Sequence, residues 1–278
     1  MCTLIIIHRR IPGIPLVVAA NRDEFYDRPA TGPGFLDHPN GSTILAPRDL
    51  RAGGTWLGLN QNGVFSALTT RPNPTPDPNR RSRGLLVVDA LGFADAAEAA
   101  GSFESLDPDR YNPFNLLVAD ASDAFTVVCG AGRVRVERLE PGVHVIGNAD
   151  PNDREHPKTR RTLIAAEMAV ERLAERPGAQ VLDGLGELCR SHDQSEGDEN
   201  DPLKPLGATC VHHEGYGTRS SILLKLCEDP KQNELYHSDG APCAHPYEDS
   251  TPLLHELLHE LSRLASYDGE GSIARKAS

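Results

Sequence analysis

The 278-residue chain is 38% hydrophobic and 24% charged, with enough apolar material for one large globular core or two small ones. Its 28 basic and 40 acidic residues leave a formal charge of −12, which repels phosphate backbones and argues against nonspecific nucleic-acid binding. Six scattered cysteines, with no Cys-x-x-Cys pair, exclude a disulfide scaffold, disfavour a thiolate zinc knuckle and fit a reducing cytoplasm.

The amino-terminal segment reads as mature structure. Leu4–Ile7 precede His8, Arg9 and Arg10, the reverse of the charge order in a secretory signal. No apolar stretch approaches the roughly 20 residues that a membrane span requires. Thr3–His8 and Leu16–Asn21 are β-branched and apolar, and predict two buried strands joined by a turn. Ser42–Ala46, Thr55–Leu59 and Val64–Thr70 follow as strands, the last after an Asn62-Gly63 turn. Residues 71–83 carry Pro72, Pro74, Pro76 and Pro78 and can only be loop. Arg80, Arg81 and Arg83 in that loop are either solvated or an anion site. Ser82 predicts a cap for a helix over Leu85–Leu91, with an alanine-rich helix around Ala94–Ala100 behind it.

Phe114–Ala119, Phe125–Cys129, Val134–Leu139 and Val143–Gly147 then predict a run of closely spaced strands. Thr159–Glu175 predicts a helix with Leu163, Ile164, Met168 and Leu173 toward one side, and Val181–Cys189 a second. Asp193–Asp201 reads as a mobile acidic loop. Cys210–His213, Ser220–Cys227 and Leu235–His237 add strands, and Pro252–Ala265 an amphipathic helix. We expect one domain over residues 1–265 and a frayed tail over 266–278. Runs of strands alternating with helix pairs indicate layered α+β rather than a βαβ series.

Two candidate sites compete. His255-Glu256-Leu257-Leu258-His259 matches the zincin pattern, in which both histidines face one metal and the glutamate activates water. However, Leu254, Leu257, Leu258 and Leu261 span an arc of about 100°, the width of a core stripe. His255 and His259 fall roughly 110° and 150° from its centre, on the wet face. With no third ligand in prospect beyond the helix, coincidence outranks a metalloprotease.

The second candidate is Cys2. Removal of Met1 would leave its α-amine free, and an amine of pKa about 7.7–8.0 can take a proton from a thiol of about 8.5. Nearby, Asn21-Arg22-Asp23-Glu24 follows Leu16–Ala20 too abruptly for a core strand and is too charged to be buried without partners. In a short hairpin this cluster lies beside the start of the first strand. Asp23 or Asn21 then reaches the Cys2 amine, and Arg22 lowers the thiol pKa. A charged turn with Arg22 and Glu24 paired in solvent fits the same spacing.

The segments Met1-Cys2-Thr3-Leu4-Ile5, Ala19-Ala20-Asn21-Arg22-Asp23-Glu24-Phe25 and Ala52-Gly53-Gly54-Thr55-Trp56-Leu57-Gly58 resemble the NRDE family, also called the transport and Golgi organisation 2 family. Tyr111-Asn112-Pro113-Phe114-Asn115-Leu116-Leu117, Ile146-Gly147-Asn148 and Tyr216-Gly217-Thr218-Arg219 extend the resemblance. The chain is more distantly similar to the choloylglycine hydrolase and penicillin V acylase group. That similarity implies a four-layer αββα sandwich of the Ntn-hydrolase type, with Cys2 as the nucleophile exposed by loss of methionine. It also implies that Asp23 holds the α-amine, that Asn148 is an oxyanion donor and that Thr70 takes the place of a second donor. The group's thiol-side arginine falls at Ala20, with Arg22 expected on the opposite strand face. A one-residue bulge would bring Arg22 back, or Arg219 would supply the charge.

The expected protein is thus a cytoplasmic N-terminal-cysteine amidohydrolase acting on an amide or related acyl bond of a small molecule. Cys2, Asp23, Asn148, Thr70 and Arg22 are its catalytic group, Asn21 and Arg219 its substrate contacts, and it needs no metal or organic cofactor. The rival is a non-enzymatic protein that binds or traffics a lipid or haem in the same pocket.

Overall fold

The computed structural model describes residues 2–174, 181–194 and 202–259. Most of the expected acidic loop (195–201), the end of the last helix and the tail (260–278) lie outside the described residues. In chain order the hairpin comes first: β1 (Thr3–Ile11) and β2 (Ile14–Phe25). Pro12-Gly13 closes it, with Ile11 opposite Ile14 and Gly13 at φ +75°, a left-handed conformation that glycine adopts without a Cβ clash.

A meander follows: β3 (Gly34–Asp37), β4 (Thr43–Ala46), β5 (Leu57–Asn60), β6 (Phe65–Thr70), β7 (Phe114–Ala119), β8 (Ala124–Gly130) and β9 (Arg133–Arg138). Each of these strands pairs antiparallel with the next, giving one seven-stranded sheet. Helices α1 (Gly84–Ala90) and α2 (Ala96–Ser102) interrupt it between β6 and β7. The chain then returns to the first hairpin through β10 (Gly142–Ile146), which pairs with β1. After α3 (Pro157–Ala174) and α4 (Val181–Arg190) come β11 (His212–His213), β12 (Tyr216–Leu226), β13 (Glu234–Ser238) and β14 (Glu248–Asp249). The other sheet has the order β10-β1-β2-β12-β13-β14, with β11 on β12. A helix over residues 251–259, α5, ends the described chain.

Strand alternation sorts the apolar residues into three cores. Leu4, Ile6, Leu16, Val18 and Ala20 face Leu45, Leu57, Leu59 and Leu117 across the two sheets. Ile5, Ile7, Val17 and Ala19 point the other way, under Leu163, Ala166, Leu182 and Leu185 of α3 and α4. The outer face of the meander packs Leu116, Val118 and Val127 against α1 and α2. The layers are therefore helix, sheet, sheet, helix, as the sequence implies. Among the described residues, no helix is long and apolar enough to cross a membrane.

Several expectations are corrected. On α3 the buried apolar positions are Leu163, Ala166 and Val170, whereas Ile164 and Met168 are 45% and 46% exposed. The residues that meet the sheet follow i, i+3, i+7 spacing from Leu163, and Ile164 and Met168 fall outside that stripe. Ser82 does not cap α1, which lacks a side-chain cap, while Asp95 caps α2 by accepting from the Glu98 N–H. The arginines of the proline-rich loop are engaged by the protein rather than free in solvent. Arg80 donates to the Tyr111 carbonyl, Arg81 pairs with Asp89, and Arg83 donates to the Pro113 carbonyl. The short strands β3 and β14 were not anticipated.

On α5, Leu254 and Leu257 are buried in the inter-sheet core, while His255 turns its Nε2 to the Asn233 carbonyl at 3.2 Å. Leu254→Ala is expected to cost about 2–5 kcal/mol in chemical denaturation, as for a core leucine that leaves a cavity. Ile164→Ala and Met168→Ala should stay within about 0.5 kcal/mol of the parent. Equal costs at all three positions would mean that the assigned faces of α3 and α5 are wrong.

Candidate functional site

Cys2 stands at the head of β1 and is half-buried. Leu4 pairs with Ala20 on one side and with Ile146 on the other. Continuing both registers by two residues sets Cys2 opposite Arg22 and opposite Asn148. Ala20 and Leu4 face the inter-sheet core, so alternation sends Cys2 and Arg22 to that same face. The expectation that Arg22 points to the opposite face is therefore corrected, and no bulge in β2 is needed. The bulge lies instead in β12, where Arg219 is the extra residue between Thr218 and Ser220.

Asn21, Arg22 and Asp23 are all buried, which rules out the solvated charged turn. Each side chain has found partners. The Arg22 guanidinium lies 4.3 Å from the centre of the Trp56 ring and 3.9 Å from the Glu24 carboxylate. Glu24 also faces Arg28, which pairs with Asp49 at 2.7 Å. Asp49 in turn accepts from the Arg51 and Ala52 N–H groups and so holds the Ala52-Gly53-Gly54-Thr55-Trp56 loop. A Cβ on Gly54 would lie 2.5 Å from the Gly84 carbonyl carbon. Only glycine lets the loop and the start of α1 approach so closely, and that contact delivers the Trp56 ring to Arg22.

Asp23 points to the helix side. Its Oδ1 accepts from Thr218 Oγ1 at 2.7 Å, its Oδ2 lies 3.8 Å from Lys158 Nζ, and its carbonyl accepts from the Tyr216 hydroxyl. Burial pushes the Asp23 carboxyl up and the Lys158 amine down, and the attraction between them opposes both shifts. Burial likewise raises the Cys2 thiol. The Asp23 charge adds to that rise, whereas the Asp23 backbone N–H and the Arg22 charge oppose it. Arg83, lowered by its own burial, feels the Cys2 thiolate as well.

Asn148 and Thr70 are brought together across the two sheets. Asn148 Nδ2 donates to the Thr70 carbonyl and stands 3.4 Å from Thr70 Oγ1. The loop around Asn148 is gripped from β7, where Asn115 Nδ2 donates to the Gly147 carbonyl at 3.1 Å and the Ala149 carbonyl at 2.9 Å. Arg71 fixes the other end of that amide and pairs with Asp150 at 2.6 Å.

Cys2, Arg22 and Asn148 thus share one end of the hairpin sheet, with Asp23 on its reverse side and Thr70 facing it from the meander. Asn21 is directed elsewhere: its Nδ2 donates to the carbonyls of Cys189 and Thr209, so it ties β2 to the end of α4. Arg219 is half-buried, and its Nε lacks a hydrogen-bond partner. Lys158, Thr218, Trp56 and Asn115 escaped the reading of the sequence as site residues. Lys158 left one signal there, because a lysine in the first turn of a helix opposes the dipole and so needs another reason to be present.

The family model described as Transport and Golgi organisation 2 matches residues 1–236. The bovine Transport and Golgi organization protein 2 homolog is 34% identical over 242 residues, covering 77% of this chain and 83% of that protein. The human homolog is 32% identical with the same coverage of both chains. Among solved structures, the Caenorhabditis elegans N-acylethanolamine-hydrolyzing acid amidase ortholog superposes with a TM-score of 0.51 at 15% identity, over 80% of this chain and 92% of its own. A conjugated bile acid hydrolase from Clostridium perfringens gives a TM-score of 0.52 at 9% identity, over 91% and 93%. These structural likenesses show an Ntn-hydrolase fold, and the match over residues 1–236, most of the chain, shows that it belongs to the Transport and Golgi organisation 2 family.

Proposed function

We propose that the chain is an N-terminal-cysteine amidohydrolase that cleaves an amide or related acyl bond of a small molecule. The observation that carries this reading is the register of the hairpin sheet, which sets Cys2 between Arg22 and Asn148 with Asp23 buried behind it. The two structural neighbours, an N-acylethanolamine-hydrolyzing acid amidase ortholog and a conjugated bile acid hydrolase, lend a fold-level precedent for hydrolysis.

Once Met1 is removed, the Cys2 amine takes the thiol proton and the thiolate attacks the carbonyl carbon. The tetrahedral intermediate collapses as the amine passes that proton to the leaving nitrogen, breaking the C–N bond and leaving a thioester. Water, deprotonated by the same amine, attacks the thioester, releases the carboxylic acid and restores the thiol. Asp23, anchored by Thr218 and Lys158, holds the amine. The Asn148 amide has two hydrogens. One is occupied by the Thr70 carbonyl, and the other, only weakly engaged by Thr70 Oγ1, donates to the oxyanion. Thr70 thereby acts by orienting Asn148, and Arg22 acts on the thiolate. The unpartnered Arg219 Nε suits an acidic group on the substrate.

Three outcomes test the scheme. Intact mass of the expressed protein should show Met1 absent, and Cys2→Ser should fold but lose burst release from an activated acyl ester; retained Met1 or a retained burst would end the proposal. Because Arg22 holds the thiol pKa down, Arg22→Gln should move the pH profile of Cys2 alkylation to higher pH. A shift to lower pH, or none, would remove Arg22 from the thiolate. Asn148→Ala should lower kcat about 10²–10³-fold, or roughly 2.7–4 kcal/mol of transition-state stabilisation, with little change in KM. Its alkylation rate should match the parent's, since alkylation forms no oxyanion.

A further inference from the structure

Beside the contact between Thr218 and Asp23, four side chains converge that the scheme above does not use. His192 follows the end of α4, Cys210 and His212 flank the start of β11, and Cys243 belongs to the turn after β13. One donor atom from each lies within 4.8 Å of every other. Cys210 Sγ and Cys243 Sγ are 3.6 Å apart, and His212 Nε2 is 3.8 Å from the first and 3.1 Å from the second. The His192 ring centre lies 5.1 Å from that of His212.

Zinc held at about 2.3 Å by sulfur and about 2.05 Å by nitrogen sets tetrahedral edges near 3.8 Å for S···S and near 3.5 Å for S···N. The S···S separation of 3.6 Å falls just short of its edge, and the two S···N separations, 3.8 and 3.1 Å, lie on either side of theirs. A disulfide would use only the two sulfurs and would leave the gathering of two imidazoles around them without a cause. We propose that His192, Cys210, His212 and Cys243 form a Cys₂His₂ site for one Zn²⁺. Binding displaces the two thiol protons to solvent, and the two thiolates neutralise the ion. Four protein ligands close the tetrahedron, so the site is structural and leaves no position for a reacting water.

The surroundings indicate what the metal holds. Cys210 N–H donates to the Ser191 carbonyl, and Arg190 Nε donates to the Pro242 carbonyl, so the three ligand-bearing segments are already laced together. Asn21 grips the carbonyls of Cys189 and Thr209, each next to this lacing. Val211 N–H donates to Thr218 Oγ1, the hydroxyl that donates to Asp23. Zinc thus clips the end of α4 and the 241–245 turn onto the strand that backs Asp23. The absence of a Cys-x-x-Cys pair argues only against ligands drawn from one local turn, and these come from three separate segments.

The test uses the full chain, purified under reducing conditions, with zinc measured by elemental analysis and by native mass spectrometry. One equivalent per folded chain is expected. It should be largely lost in Cys243→Ser and in His192→Gln, two exposed ligands whose replacement leaves the cores intact. Cys2→Ser and the double variant His255→Gln, His259→Gln should keep it, which separates this site from both the proposed nucleophile and the zincin-like helix. Chelator-stripped protein given Co²⁺ should develop thiolate-to-metal charge-transfer absorption and intense tetrahedral d–d bands. Folded, reduced protein that takes up neither zinc nor cobalt would overturn the proposal. So would a metal content unchanged in Cys243→Ser and His192→Gln.

Discussion

The structure is organised around the burial of three consecutive polar residues, Asn21, Arg22 and Asp23, in the middle strand of a sheet. A charge taken out of water costs several kcal/mol unless the surroundings replace its hydration. Alternation along β2 sends Arg22 to the inter-sheet side and Asp23 to the helix side, so partners had to be supplied from both. Trp56 and Glu24 answer Arg22, and Thr218 and Lys158 answer Asp23. The close-packed Gly54 that brings Trp56 to Arg22 and the lysine in the first turn of α3 both follow from that requirement. Each is locally unfavourable or costly, and each serves a buried charge.

The same constraint accounts for the distribution of chemistry at the head of β1. Burial makes the Cys2 thiol resist ionisation, and Arg22, Arg83 and Lys158 are among the cations that oppose this tendency. The Asp23 carboxylate lies behind it, where it attracts a positive amine but disfavours a thiolate. In the proposed scheme the thiol and the amine become charged together, and the Arg22 and Asp23 charges flank the resulting ion pair. Asn148 belongs to the hairpin sheet by sequence but is held by Thr70 and Asn115 of the meander. The site thus depends on the two sheets keeping their relative position, and the inter-sheet core is what maintains it.

Much of this was legible from the sequence, for identifiable reasons. The period-two apolar runs of β1, β2 and β7 are long enough to declare themselves, and hairpin geometry alone brings residues 2 and 22 side by side. A cysteine next to a removable methionine, near a charged tetrapeptide that ends an apolar strand, is a local signal. The αββα layering and the family followed from segments that are distinctive as written. What a sequence cannot display is which distant group meets which. Lys158 and Asp23, 135 positions apart in number, Asn115 and the loop at 147–149, and the four ligands at 192, 210, 212 and 243 have no shared periodicity. A motif offset does not fix the strand face of Arg22, whereas the paired register decides it directly. The type and place of Asn21 suit a substrate contact, and only the fold shows its amide committed to two carbonyls. Local pattern determined the elements and singled out Cys2 as the candidate nucleophile, since both depend on neighbours in sequence. Packing decided the partners of every buried polar group, because the need to satisfy them is settled by whatever the tertiary structure brings within a hydrogen bond.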